Sequence, residues 1–119
     1  MMNQNPIFKQ GDIVLVLFPD SNLRTAKPRP SIIVQADKLE TGLQQVIVAM
    51  ITSRLFRSKH PSRIVIQLST TEGQQSGLLS DSVIMTDNLA TIAYSEIDRV
   101  IGIVPMIKVD KALRHTLGL

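Results

Sequence analysis

The sequence predicts a mainly β domain in the form of a small barrel, with a C-terminal helix that covers one open side of it. Short runs of β-branched residues recur along the chain, and polar, turn-rich segments separate them. A helical hydrophobic period occurs clearly only once, near the C-terminal end. The length of 119 residues suits one domain, 1–119, with a single core.

Six segments have the composition of β-strands. Residues 63–68 show the alternation of a half-buried strand most clearly, because Ile64, Ile66 and Leu68 fall on one face. The predicted strands cover residues 13–18, 31–36, 45–51, 63–68, 82–85 with a continuation to 92, and 97–104.

The C-terminal segment has a different period. Apolar residues recur there at the i, i+3, i+4 spacing of one helical face, at Met106, Val109, Ala112, Leu113 and Leu117. Pro105 stands just before this segment and Gly118 is placed to end it. These signals predict a helix over residues 106–117.

Three polar loops join the predicted strands, and loops on a compact scaffold are where binding and chemistry concentrate. They cover residues 19–30, the basic segment 52–61, and residues 69–80. The last of these is rich in Ser, Thr, Gln and Gly, and we expect it to be mobile.

The charge is concentrated in the middle of the chain. The net charge is +3, but residues 24–63 hold eight basic and two acidic groups and so carry +6. This distribution fits a local site for a polyanion, with a scattered solvated surface as the alternative. Only three Phe and one Tyr are present, so contacts to RNA would be polar and electrostatic rather than a broad stacking surface.

Several classes of function are disfavoured by what the sequence lacks. With no cysteine there is no disulfide framework, thiolate zinc site or thiol nucleophile, which is compatible with the cytosol. There is no signal-peptide pattern and no apolar run near the ~20 residues that cross a bilayer, so we expect a cytoplasmic protein without membrane contact. No P-loop, GxGxxG, GxSxG or metal-ligand spacing is found, and we expect no cofactor and no metal.

Two basic positions next to strand ends are candidates for anion binding. Arg29 lies between Pro28 and Pro30, which stiffen the backbone, so its guanidinium could form two parallel hydrogen bonds to a phosphate. The alternative is an ordinary surface arginine. Thr52-Ser53-Arg54 ends a strand and could bind an anion or orient a hydroxyl, the alternative being a turn in which the hydroxyls cap the backbone.

A carboxylate and an imidazole are candidates for proton transfer. Asp87 interrupts an apolar strand within Thr86-Asp87-Asn88, which suggests an edge position, a bulge, a turn, or a carboxylate paired with a basic residue. Beside an arginine it could act as a general base. His60 in the basic loop could exchange a proton, whereas His115 is expected on the surface of the C-terminal helix.

Taken together, these residues carry a family resemblance. Residues 11–16 (GDIVLV), 29–35 (RPSIIVQ) and 46–53 (VIVAMITS) resemble the ordered signature of the MazF/PemK toxins, and residues 79–85, 91–92, 109–113 and 117–119 continue it. The resemblance implies an SH3-like barrel with helices that forms a homodimer. It implies a toxin of a type II toxin–antitoxin system that cleaves single-stranded RNA without a metal. A cognate antitoxin would wind a disordered acidic segment over the RNA site, and DNA would be contacted only through that antitoxin.

The resemblance also implies roles for particular residues. Arg29 matches the arginine that acts at the scissile phosphate, Thr52 matches the threonine that helps to hold it, and Asp87 falls where relatives have an acidic base. Lys27, Ser53, Arg54 and Arg57 are candidates for further RNA contacts, at flanking phosphates in the case of the basic residues.

The sequence also departs from the family pattern. Residues 21–28 lack the usual Gly-rich segment, Ala90 replaces a common arginine, and Met85 stands where one subgroup has a catalytic arginine. These departures leave a non-catalytic alternative open. It would be either a gyrase-binding toxin of the CcdB type, whose small barrel is similar, or an inactive binder of RNA or protein.

Overall fold

The structure is a computed structural model that describes residues 8–19 and 26–119. Six strands and a C-terminal helix confirm the predicted mainly β class. The strands are β1 (Asp12–Pro19), β2 (Ala26–Ile33), β3 (Gln45–Thr52), β4 (Arg63–Ile66), β5 (Ser82–Ala93) and β6 (Ile97–Ile103). The helices are α1 (Thr71–Gln75) and α2 (Met106–Leu117), with short 3-10 turns at Leu55–Ser58 and Tyr94–Glu96.

The strands form one antiparallel sheet in the order β4-β5-β3-β2-β1-β6. The end strands β4 and β6 lie wholly within the described residues, and no ladder joins them, so the predicted barrel is an open sheet. The segment between β4 and β5 packs on β6 instead. There, Gly77 and Gly102 let two backbones approach so closely that a Cβ on either would lie under 3.0 Å from main-chain atoms.

The two faces of the sheet carry separate apolar clusters, as alternation along the strands requires. One cluster contains Ile13, Ile32, Ile51 and Ile84 together with Val109 of α2. The other contains Val14, Val16, Ile33, Val46, Val48 and Ile92. Helix α2 therefore covers one face only, with Val109 and Ala112 buried and Gly118 ending the helix in the left-handed conformation.

Strand β2 begins earlier than the sequence predicts. Residues 27–30 were expected in the polar loop 19–30, yet Pro28 pairs with Leu17 and Pro30 with Leu15 of β1. The ladder between β2 and β3 covers only Ser31–Ile33, so among the described residues both prolines lie where β2 pairs with β1 alone. A missing N–H is tolerated there, as it is on an edge strand.

Residues 69–80 are not the mobile loop that their composition suggests. The Thr70 side chain caps α1 by accepting from the amide of Gly73 at 3.0 Å. Ser76 is fully buried, donating to the Gly73 carbonyl at 2.6 Å and accepting from the Leu78 amide at 3.2 Å. The polar side chains are thus used in internal hydrogen bonds, which composition alone does not reveal. Within residues 8–19 and 26–119, no helix is long and apolar enough to span a membrane.

Candidate active site

An open cavity of about 700 Å³ lies where β2 and β3 separate at one end of the sheet. Its apolar floor includes Leu15, Ile51, Leu78 and Ile101. The polar and charged residues of the lining are Arg29, Arg54, Arg99, Thr52, Ser53, Ser80 and Ser82, and the lining also contains Pro28, Pro30, Gly77 and Leu79. The cavity therefore combines an apolar floor with arginines and hydroxyls.

Arg29 and Thr52 both line this cavity. The β2–β3 ladder ends at the pair Ser31–Met50, two residues short of each of them, so they lie where the two strands have separated. Arg29 is exposed and pairs with Val16 of β1. The two residues that the family resemblance assigns to the phosphate therefore border one cavity.

The Thr52 hydroxyl forms a local turn and keeps a free donor. Its oxygen accepts a hydrogen bond from the Arg54 amide at 3.2 Å, so the turn expected as the alternative is present. A hydroxyl that accepts one hydrogen bond still has its own proton to donate. Thr52 can therefore shape the strand end and donate to an anion in the cavity.

Charge in the cavity favours an anionic ligand. Among the lining residues that the structure describes, every ionisable side chain is an arginine, and none is a carboxylate or an imidazole. Arg99 pairs with Asp98 at 2.8 Å, but both side chains are largely exposed, and such surface pairs are weak. A phosphodiester fits this environment, because arginine forms charge-assisted hydrogen bonds to phosphate oxygens.

The remaining predicted RNA contacts divide into two groups. Ser53 and Arg54 line the cavity with Thr52, whereas Lys27 and Arg57 do not. Lys27 is exposed on β2 two residues before Arg29, so the two project from one face of the strand. Arg57 is half-buried in a 3-10 turn, with its guanidinium 5.7 Å from the Phe56 ring centre.

Asp87 lies outside the cavity lining, held by Arg63. Its carboxylate oxygens accept from Nε at 3.3 Å and from Nη2 at 2.7 Å. Val83 is the β5 residue opposite Thr52, whereas Asp87 lies between the β5 residues that pair with Met50 and Ala49, two to three residues further along β3, roughly 7–10 Å away. The hydrogen bonds from Arg63 lower the pKa of Asp87 below its usual value, which weakens it as a base.

A bulge explains how an aspartate fits within β5. Ala49 pairs with Leu89 while the next residue, Met50, pairs with Met85, so residues 86–88 have no partner on β3. Such insertions re-aim side chains. The bulged Thr86 is buried, and its hydroxyl donates to the Ser62 carbonyl at 2.6 Å and lies 2.8 Å from the Thr116 hydroxyl of α2.

The two histidines meet beside this bulge rather than at the cavity. Their ring centres are 6.1 Å apart, and Nδ1 of His60 accepts from the Ser62 amide at 3.1 Å. His60 also contributes to lowering the pKa of Asp87. No group of three or more candidate metal ligands occurs among residues 8–19 and 26–119.

Sequence reasoning missed Arg99, Leu79, Ser80 and Ser82 as lining residues. Arg99 lies on β6, whose position beside β1 depends on long-range pairing. Leu79 is 97% exposed, but an exposed leucine gives no signal in a sequence. The segment that carries it was assigned to a mobile loop.

The fold is that of a small β domain, and its arginine-lined cavity suits an anionic ligand. The chain belongs to the PemK-like, MazF-like toxins of type II toxin–antitoxin systems, since the model of that family matches residues 9–117. This confirms the resemblance found in the sequence. Endoribonuclease MazF2 of Mycobacterium bovis and endoribonuclease MazF6 of Mycobacterium tuberculosis are each 32% identical to it over 107 residues, covering 87% of this chain and 90% of the relative.

Solved structures support the same fold. An endoribonuclease in complex with its cognate antitoxin from a mycobacterial species is similar with a TM-score of 0.71 at 20% identity, covering 93% of this chain and 95% of the other. The Mycobacterium tuberculosis toxin MazF-mt6 gives 0.68 at 22%, covering 91% and 97%. A MazE–MazF structure from Deinococcus radiodurans gives 0.69 at 16%, covering 98% and 99%.

Proposed function

We propose that this endoribonuclease toxin cuts single-stranded RNA, including mRNA, by attack of the RNA's own 2′-hydroxyl at the cavity that holds Arg29 and Thr52. The observation that carries the proposal is that Arg29 and Thr52 line one cavity whose lining is rich in arginine and hydroxyl groups. Cleavage of mRNA would stop translation and growth.

Each lining group has a role in this chemistry. As the 2′-oxygen attacks, negative charge builds on the non-bridging phosphate oxygens, and donors already in place stabilise it. Arg29 supplies charge and two parallel N–H groups, while Thr52 and Ser53 supply neutral O–H donors. Arg54 in the cavity, with Lys27 and Arg57 outside the lining, would hold flanking phosphates.

The reaction needs a base and an acid but no metal-bound water, because RNA carries its own nucleophile. Asp87 stays our predicted base, but its contact with Arg63 and its place along β5 argue against direct contact with a phosphate at Arg29. It would act there only if the RNA extended across β3 toward β5. DNA lacks the 2′-hydroxyl, so this mechanism excludes its cleavage.

A cognate antitoxin and a second copy of the chain are the proposed partners. An acidic disordered segment would complement the arginine-lined cavity, and contact with DNA would come only through the antitoxin. Among the described strands β6 is an edge with one neighbour, and it exposes Val100 and Ile103, which supports pairing with a second copy. Light scattering should then give about twice the 13.2 kDa chain mass, and a monomer at all concentrations would contradict the homodimer. We propose a cytoplasmic location, because that is where mRNA is translated.

The test is incubation of the purified protein with a long single-stranded RNA in EDTA, followed by analysis of the fragment ends. We expect cleavage to continue in EDTA and to leave 2′,3′-cyclic phosphate and 5′-hydroxyl ends. Arg29→Ala serves as the inactive control and Arg114→Ala, on α2, as the matched arginine control. A need for Mg²⁺ or 5′-phosphate ends would contradict the mechanism. Tight RNA binding without cutting would favour the non-catalytic alternative.

A further inference from the structure

We propose that Leu79 and Arg99 form a wall that holds the nucleobase next to the scissile phosphate and so sets which RNA sequence is cut. This inference rests on the proposed function, because it names substrate-reading residues of the same cavity. Both residues line the cavity beside Arg29 and Thr52. The family match assigns neither of them a role.

The exposure of Leu79 is the first observation. Its side chain is 97% exposed, although the preceding Leu78 is 9% exposed and Ser76 is fully buried. A leucine held this far from the core contributes nothing to packing within the chain, yet it stands at the cavity rather than on an open surface. Its place fits an apolar contact with a ligand.

The backbone beneath Leu79 is fixed, which a reading surface requires. Gly77 has a φ of +72°, and a Cβ there would lie under 3.0 Å from the Ile101 carbonyl oxygen. A Cβ on Gly102 would likewise meet the backbone of Ser76. The segment carrying Leu79 is therefore pressed against β6, the strand that carries Arg99, and the two residues belong to one wall.

Strand order sets the distance of this wall from the phosphate site. Leu15 of β1 pairs with Arg99 on one side and with Pro30 on the other. The wall and the Arg29–Pro30 segment are thus separated by two strand spacings, about 10 Å. Because Arg29 and Arg99 line the same cavity, a nucleotide whose phosphate contacts Arg29 can place its base toward Arg99.

The chemistry of the wall suits a base better than a second phosphate. Asp98 accepts a hydrogen bond from Nη1 of Arg99 at 2.8 Å, which places a carboxylate beside the guanidinium plane. Such a plane can stack on a base or donate to its edge. Among the lining residues that the structure describes none is aromatic, so the guanidinium offers a flat surface and Leu79 an apolar one, and the exposed Ser80 can form hydrogen bonds to base edges.

The acidic antitoxin segment proposed above is the competing ligand for the cavity. The described ionisable residues of the cavity are all arginines, which suit the continuous negative charge of a nucleic-acid backbone. The apolar floor and rim then serve the base, while the arginines serve the phosphates. We therefore assign the wall to RNA and make contact with a protein an outcome of the test.

The experiment compares cleavage of a randomised single-stranded RNA pool by the wild type, Leu79→Ala and Arg99→Ala. Ile107→Ala and Arg114→Ala are matched controls, since Ile107 is 83% exposed on α2 and neither residue lines this cavity. We expect both wall variants to lose preference at the same base position, by about tenfold for the leucine. On the preferred sequence, KM should rise while kcat is largely kept, and both controls should match the wild type.

Each result decides between the alternatives. The conservative variant Leu79→Met should keep part of the base preference, whereas Arg99→Lys should keep little of it. An active wild type whose cleavage motif and KM are unchanged in both wall variants would overturn this inference and leave the proposed function standing. An inactive wild type would overturn both. Unchanged RNA cleavage with weaker inhibition by the antitoxin would also overturn the inference and assign the wall to a protein.

Discussion

Replacement of Gly77 by alanine tests the close backbone contact between the cavity wall and β6. The residue combines a left-handed backbone, φ +72°, with no room for a Cβ against the Ile101 carbonyl. Gly118 has nearly the same backbone, φ +73°, but nothing lies within 4 Å of its Cβ position. Comparison of Gly77→Ala with Gly118→Ala therefore separates the cost of backbone strain from the cost of a steric clash.

The expected magnitudes follow from these two terms. Strain alone, in Gly118→Ala, should cost about 1–2 kcal/mol of unfolding free energy. Gly77→Ala adds an overpacking term of about 1–3 kcal/mol, giving roughly 2–5 kcal/mol in all. In a domain of this size each kcal/mol lowers Tm by about 4 °C. Gly118→Ala should thus lose about 4–8 °C, and Gly77→Ala about 8–20 °C.

The assay is thermal denaturation followed by circular dichroism at one fixed protein concentration, with cleavage of RNA measured below both transitions. Gly102→Ala is the third variant, because it introduces a clash with Ser76 without a positive φ. If Gly77→Ala lowers Tm no more than Gly118→Ala does, the close contact between the cavity wall and β6 is refuted. If Gly77→Ala is less stable than the wild type but cleaves RNA normally, the contact between the wall and β6 has no role in the site.

Three further substitutions test the phosphate site and the bulge in β5. Arg29→Ala should lower the cleavage rate about a hundredfold or more with an unchanged Tm, because the exposed side chain stabilises only the reacting phosphate; full activity in the folded variant would contradict this role. Asp87→Asn should lower Tm at neutral pH, since Arg63 holds the pKa of Asp87 below its usual value. That stabilisation is present above the unfolded-state pKa of about 4 and is lost as pH falls through the lower folded-state pKa, so the difference in Tm from the wild type should shrink in acid; a difference independent of pH would contradict it. Thr86→Val should cost about 1 kcal/mol, measured by urea denaturation, because it removes the buried hydrogen bond to the Ser62 carbonyl; a neutral effect would show that the bond contributes nothing.

The elements with local signals could be predicted from the sequence. Helix α2 has the predicted bounds, since its apolar period, Pro105 and Gly118 agree. Strand β2 does not have the predicted bounds. Pro28 and Pro30 disfavour a strand that pairs on both sides, and only the fold reveals that β2 pairs on one side at these residues. Residues 69–80 were misjudged because buried and solvated serines look alike in a sequence.

In the candidate site, too, residues with a local signal could be predicted and residues placed by long-range contacts could not. Arg29 and Thr52 were found because each stands beside a strand end with a recognisable local pattern and family match. Arg99 and Leu79 were missed because they reach the cavity only through the pairing of β6 with β1 and the packing of residues 76–77 on β6. The separation of Asp87 from the cavity depends on the bulge in β5, which sequence spacing does not reveal.

The most direct test of the central claim uses one RNA oligonucleotide that the protein cuts at a single mapped bond. A matched oligonucleotide carries a 2′-deoxy substitution only at the nucleotide whose 2′-hydroxyl would attack. With both in EDTA, the account predicts cleavage of the first and an intact second one that still binds and competes with the first. Cleavage of the deoxy-substituted bond would contradict attack by the 2′-hydroxyl and assign the chemistry to an activated water.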